Sequence, residues 1–415
     1  MTGPGRLKGA RTALVILTLL NLFNYLDRYV LASLFESLKA SELHLSDKQL
    51  GALFTAFLVV YMLTSPLFGR LGDRASRPRL LAAGVAIWSL ATALGGLARS
   101  FTGLFAARAS VGIGEAAYGT IAPALLADSF PKERRGFVFA VFFAAIPIGS
   151  ALGYVLGGFM DQHFGWRAAF FVAGGPGLLL ALLCLLLRDP PRGSQDEPSK
   201  AAPLAEGARA AYARLFSNPA YRLTVAGYAA YTFALGGVAA WTPAFLERVR
   251  GMPKSAATIQ FGAIVVVTGF LGTFAGGWLG DRLLRRDRQA YLKLSGWTAL
   301  AAAPAAAIAF FAPGRALPMA GIVAAELLLF ASTGPINSVI VNVVAPGDRA
   351  TAVALSILSI HLFGDVPSPP VMGWISDATG NLRSAFVVVP AAVALAGVIW
   401  LIAARRPETQ AIAGQ

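Results

Sequence analysis

Apolar runs of roughly 20 residues, each long enough to carry a helix across about 30 Å of hydrocarbon, recur from one end of this chain to the other. Twelve are read, over 12–35, 49–69, 80–98, 101–128, 137–160, 168–187, 223–246, 257–281, 289–312, 316–345, 350–373 and 384–404. Helices of a soluble enzyme would carry a polar face, and these runs lack one. Of 415 residues, 56% are hydrophobic and 13% charged, against about 25% charged in soluble domains. The expected fold class is an all-α polytopic membrane protein.

A net charge of +14 would suit a nucleic acid, but its placement argues against that partner. With the N-terminus inside, 24 of the 35 Lys and Arg residues fall on the inner side and 9 on the outer, while Arg28 and Arg108 lie within spans. That is the positive-inside bias, and it puts both termini in the cytoplasm. Cys184, the one cysteine, excludes an intrachain disulfide. Arg6, Lys8 and Arg11 before an apolar run imitate a signal peptide. No clear A-x-A cleavage site precedes Asp27, so the first helix is read as retained.

DPPRGSQDEPSKAAP, residues 189–203, is the long polar, Pro-rich stretch and divides six spans from six. The expected units are 1–188, a linker over 189–219, and 220–415. Within the linker, Leu204, Ala208, Ala211 and Leu215 share one helical face, as an amphipathic helix on the inner leaflet requires. A solvated linker fits the same residues. GRLGDR at 69–74 recurs as GWLGDR at 277–282, and WRAAF at 166–170 is echoed by LRSAF at 382–386. Parallel six-span repeats around a central pathway are how the major facilitator architecture is built.

GRLGDRASRPRLL (69–81) resembles the G-x-x-x-D-R-x-x-R loop of the major facilitator superfamily. NYLDRYV (24–30), GIGEAAYGTIAPALLAD (112–128) and HLFGDVPSPP (361–370) are similar to stretches of its Spinster family, as are SFPKERRG and TGPINSVIVNVVAPGDRATA. The resemblance covers nearly all of the chain except its termini and central linker. It implies a twelve-helix lipid transporter of the bacterial inner membrane, proton-coupled, acting on sphingosine-1-phosphate-like lipids or lysophospholipids. A monomer without cofactor or metal is expected, surrounded by membrane lipids. A carrier of small organic anions or drugs on the same scaffold is the alternative.

Charges inside spans are costly, about 2.5–3.5 kcal/mol each on insertion scales, so Asp27, Arg28, Arg108 and Glu115 need partners. At 1.5 Å per residue, Asp27 lies roughly 22 Å up the first span and Arg108 roughly 10 Å below the outer surface. Those heights nearly coincide, and Asp27–Arg108 is the expected pair. Asp27 and Glu115 are read as a protonatable pair facing a cavity, with Arg108 switching between them. A static network that only fixes helix packing is the competing reading. Arg28 points about 100° away from Asp27 and is read as mainly structural, with a headgroup contact as the alternative.

Candidate substrate contacts are Arg108, Arg28, Tyr118, Phe142 and Asn337, with Thr333 and Asn342 on the same spans. Phe23, Phe54, Phe143, Phe233 and Trp241 could wall an apolar tail. Glu326 is left open, and the His361–Asp365 pair is read as structural. At the inner edge, the superfamily pattern puts Asp73 on the N-terminus of the eleventh span, with Arg74 or Arg77 pairing Asp128. Asp281 and Arg282 repeat the arrangement against the fifth span. No G-x-S-x-G, H-E-x-x-H or G-x-x-x-x-G-K-[ST] is present, and His44, His163 and His361 are scattered, so enzyme and ATPase classes are set aside.

Overall fold

The computed structural model describes residues 4–45, 47–196 and 208–406, and every regular element among them is helical. The first half comprises α1 (Pro4–Ser33), α2 (Phe35–Ala40), α3 (Asp47–Arg74), α4 (Arg77–Gly95), α5 (Phe101–Ser129), α6 (Arg135–Phe164) and α7 (Trp166–Cys184). After α8 (Ala208–Ser217) come α9 (Pro219–Arg248), α10 (Lys254–Leu284), α11 (Ala290–Phe311), α12 (Ala316–Phe330) and α13 (Thr333–Asn342). The chain closes with α14 (Arg349–Ile360), α15 (Ser368–Thr379), α16 (Leu382–Ala385) and α17 (Val388–Ala404). Among the described residues, eleven segments are long and apolar enough to cross a membrane. The twelfth crossing is α5, which carries Arg108, Glu115 and Asp128.

Local chemistry sets the ends of these helices. Ser100 accepts from Gly103 N–H at 3.2 Å to cap α5, and Asn218 accepts from Tyr221 N–H at 3.1 Å to cap α9. Gly165 turns α6 into α7 with φ of 80°, a conformation that strains residues with a Cβ. Prolines inside α3, α5, α6, α7, α9 and α11 are tolerated because packed neighbours re-satisfy the freed backbone groups in a membrane. Two crossings are broken. The tenth is split between α12 and α13, and the eleventh passes through a π-turn at His361–Asp365 between α14 and α15.

In the first half α1 packs on α6, α3 and α4 on α5, and α4 on α7. In the second half α9 and α11 pack on α17, and α10 and α11 on α12. The halves meet along α3 with α14, and along α6 with α10 and α13. Large apolar side chains such as Val155, Leu179 and Trp374 remain exposed on the outside, as a lipid-facing surface requires.

The linker helix α8 departs from the inner-leaflet reading. Ala211 and Leu215, its apolar face, are buried by protein. Tyr212 donates to Pro66 O at 3.3 Å, and Arg214 bonds Asp348 at 2.9 and 3.1 Å. The same pattern that suits a bilayer suits a groove between two helices. Leu204 lies outside the described residues.

Candidate functional site

Two crossed ion pairs join α1 to α5. Arg108 Nη1 lies 3.5 Å from Asp27 Oδ1, and Thr92 Oγ1 on α4 donates to Asp27 Oδ2 at 2.6 Å. Arg28 donates through Nε and Nη2 to Glu115 Oε2, at 2.7 and 2.6 Å. Adjacent positions on α1 thus carry opposite charges to opposite charges two turns apart on α5. Arg28 also sits among three rings, its guanidinium carbon 4.8 Å from Tyr25, 4.8 Å from Phe57 and 5.2 Å from Tyr61. Phe57 lies 5.6 Å from Arg108 as well, between the two cations.

This geometry corrects two expectations. Glu115 is held by Arg28, not by Arg108, which lies two turns away along α5. The acids, moreover, do not face open space: Asp27 is 1% exposed and Glu115 is 0% exposed. Arg28 is the accessible member, with 18% of its side chain exposed. Among the described residues each pair leaves atoms without a hydrogen-bond partner, namely Nε and Nη2 of Arg108 and Oε1 of Glu115.

The proposed substrate contacts divide. Tyr118 is buried and donates to Leu17 O at 2.6 Å, its ring edge-on to Trp88. Phe142 is buried against Tyr118 and Phe143. Both are packing residues here, because their helix faces turn into the bundle. Asn337 is half-buried, bonded to Thr333 O at 2.9 Å and 3.4 Å from Tyr228 Oη. Trp241 donates its ring N–H to Pro369 O at 3.0 Å. The side chain of Phe54 lies outside the described residues.

Across the seam, His361 Nδ1 is 2.8 Å from Asp365 Oδ1, and its ring is 5.6 Å from that of Tyr61. Both belong to the π-turn, an element that often marks function within a helix. Asp365 is 30% exposed, so the pair borders the space between the halves as well as holding a bend. Glu326 is buried on α12 and makes no hydrogen bond or ion pair with the described residues.

At the end of the bundle that carries the linker, the halves are fastened together. Asp73 accepts from Ala350 N–H and Thr351 N–H, both at 2.9 Å, and from Thr351 Oγ1 at 2.6 Å. A carboxylate there meets the free N–H groups and positive end of α14. Asp281 accepts from Phe137 N–H at 2.9 Å at the start of α6, and from Tyr291 Oη at 2.7 Å. Arg77 pairs with Asp128 and with Asp189, each at 2.6 Å. Arg282 does not join this set: it is exposed and stacks on Trp278, 5.5 Å from the ring. Arg74 is exposed too.

Sequence reasoning missed Thr92, the ring cage, and the bonds of Arg135, Arg349 and Asp196. Arg349 bonds both Asp128 and Asp196, and Arg135 bonds Asn342 and Asp196. A signal was present: DSFPKERRG (128–136) and NVVAPGDRA (342–350) each place an Arg seven residues after a polar residue in the last turn of a helix.

Residues 17–362 match the Major Facilitator Superfamily. The chain is 35% identical to human protein spinster homolog 1 over 398 residues, which is 89% of this chain and 74% of the human protein. It is 34% identical to protein spinster of Drosophila melanogaster over 376 residues, 88% of this chain and 61% of the fly protein's length. A bacterial homolog of the human lysosomal transporter Spinster, crystallised inward-facing and unoccupied, matches with TM-score 0.61 at 27% identity, covering 98% of this chain and 97% of that one. The E. coli fucose:proton symporter shares the fold, with TM-score 0.74 at 18% identity, covering 94% and 98%. The chain therefore belongs to the Spinster family of the major facilitator superfamily, and is a multi-pass secondary transporter, not an enzyme.

Proposed function

We propose that the protein carries amphipathic lipids with an anionic headgroup, of the lysophospholipid or sphingoid-phosphate class, by proton-coupled alternating access in a bacterial inner membrane. The positive-inside bias supports a cytoplasmic linker end. With Asp73, Asp281, Asp128 and Asp196 fastening that end, the conformation is closed to the cytoplasm.

The observation that carries the reading is that Arg28, the least buried of the four charges, directs its Nε and Nη2 at one oxygen of Glu115. A phosphate entering between the halves offers the guanidinium a stronger bidentate partner. Glu115 then loses its counter-charge in a sealed position. An uncompensated buried charge costs several kcal/mol, and taking up a proton removes that cost. Headgroup binding and protonation are thereby linked through one side chain. The rings of Tyr25, Phe57 and Tyr61 complete an amphipathic lining around the cation.

Binding of lysophosphatidic acid and sphingosine-1-phosphate to purified protein, competed by small organic anions, tests the substrate class. Arg28→Ala is expected to weaken lipid binding at least about tenfold, the scale of one charged hydrogen-bond pair. Efficient displacement by short-chain anions lacking a tail would favour the small-anion carrier instead.

A further inference from the structure

The linker end is braced by a crossed pair with an approximate two-fold match. Asp128 and Arg135 flank the turn from α5 to α6; Asn342 and Arg349 flank the turn from α13 to α14. Arg135 Nε donates to Ala127 O, and Arg349 Nε to Val341 O, both at 3.0 Å and both eight residues back. Each guanidinium then crosses to the other half, Arg349 to Asp128 and Arg135 to Asn342.

The match fails at one point. Arg349 meets a carboxylate, whereas Arg135 meets a neutral amide. Both arginines are 1% exposed, and a buried cation without an anion is strongly disfavoured. Asp128 has little to spare, since Arg77 also draws on it.

The missing charge comes from the linker. Asp196 Oδ1 lies 2.9 Å from Arg135 Nη2, and its other oxygen bonds Arg349 Nη2. The loop is seated to deliver it. Gly193 N–H donates to Asp128 Oδ1 at 2.9 Å, Ser194 Oγ to Asp128 O at 2.8 Å, and Asp196 N–H to Gly193 O at 2.9 Å. Gly193 has φ of 74°, and a Cβ there would lie 2.6 Å from Pro346 of the second half. Glycine is required on both counts.

We propose that Asp196 replaces the acid that Asn342 lacks, and that by bridging Arg135 and Arg349 it latches the two halves shut at the linker end. When the halves part, Asp196 can follow only one arginine, so the bridge exists in the closed state alone. This rests on alternating access, but not on the identity of the substrate.

The test measures conformation. Spin labels are placed at Arg79→Cys in the first turn of α4 and at Arg286→Cys in the turn after α10, exposed positions of the two halves at this end, in protein carrying Cys184→Ala. Asp196→Asn is expected to raise the ratio of long to short interlabel distances about tenfold, and Asp196→Glu to leave it near the parent value. Adding Asn342→Asp to Asp196→Asn restores the symmetric carboxylate and is expected to return the short distances. Unchanged distances in Asp196→Asn, or no recovery with Asn342→Asp, would overturn the latch. Asp196→Ser serves where Asn impairs folding. If the distances behave as expected while lipid uptake is absent, the transport reading fails and the latch stands.

Discussion

Asp27 and Arg28 stand one position apart and about 100° around α1, and that angle decides which partner each finds. The presence of charge in an apolar run was legible, and so was the Asp27–Arg108 height match, because rise along a helix follows from residue number. The partner of Glu115 was not, because spacing within one helix says nothing about how two helices are rotated against each other. The burial of Tyr118 and Phe142 was not legible for the same reason. Asp196 was hidden differently: a polar, Pro-rich stretch reads as solvated whether or not it is docked. For the buried pair, Asp27→Ala or Arg108→Ala is expected to cost about 3–5 kcal/mol, since each strands a buried charge. The double exchange Asp27→Arg with Arg108→Asp should recover part of that loss, measured by thermal melts in detergent. Asp196 lies outside the spans, so its titration can be followed. Burial pushes its carboxyl up, but Arg135 and Arg349 outweigh this and hold it below the ordinary carboxylate range. Its contribution to closure is therefore complete above the open-state value and lost only as pH falls through the depressed one. Interlabel distances at the linker end should lengthen as pH falls below the ordinary carboxylate value of about 4. In Asp196→Asn that acid-induced lengthening should be diminished.

At the scale of elements, the repeated motif does the same work twice on different partners. A Cβ on Gly69 would lie 2.5 Å from Ala354 Cβ of α14, and one on Gly277 2.5 Å from Ala140 Cβ of α6. These are the first glycines of GRLGDR and GWLGDR, and each lets its helix close on the opposite half. Gly69→Leu and Gly277→Leu should each hold the linker end apart, read as long interlabel distances with little change in folding. Asp73→Ala removes the carboxylate that accepts from two N–H groups and one hydroxyl at the start of α14 and should act in the same direction, by about 1 kcal/mol or more. Span number and order were legible because hydrocarbon thickness dictates run length. A bend beside Pro367, Pro369 and Pro370 was legible at His361–Asp365, but the break between α12 and α13 beside Pro335 was not, since Pro66 and Pro147 lie within continuous helices.

For the whole molecule, the crossed ion pairs and the fastened end fit one mechanism. In the proposed mechanism the charges inside the first half set what is bound, while the motifs at the linker end set which side is open. Family membership followed from motifs spread over most of the chain, whereas the closed state of that end needed coordinates. The most direct measurement is uptake of a lysolipid or sphingoid phosphate into proteoliposomes, with and without an imposed pH gradient, for the parent protein and Glu115→Gln. Gradient-driven accumulation by the parent, reduced to gradient-independent equilibration by Glu115→Gln, is the predicted result. Accumulation by Glu115→Gln equal to the parent's under the same gradient would contradict it.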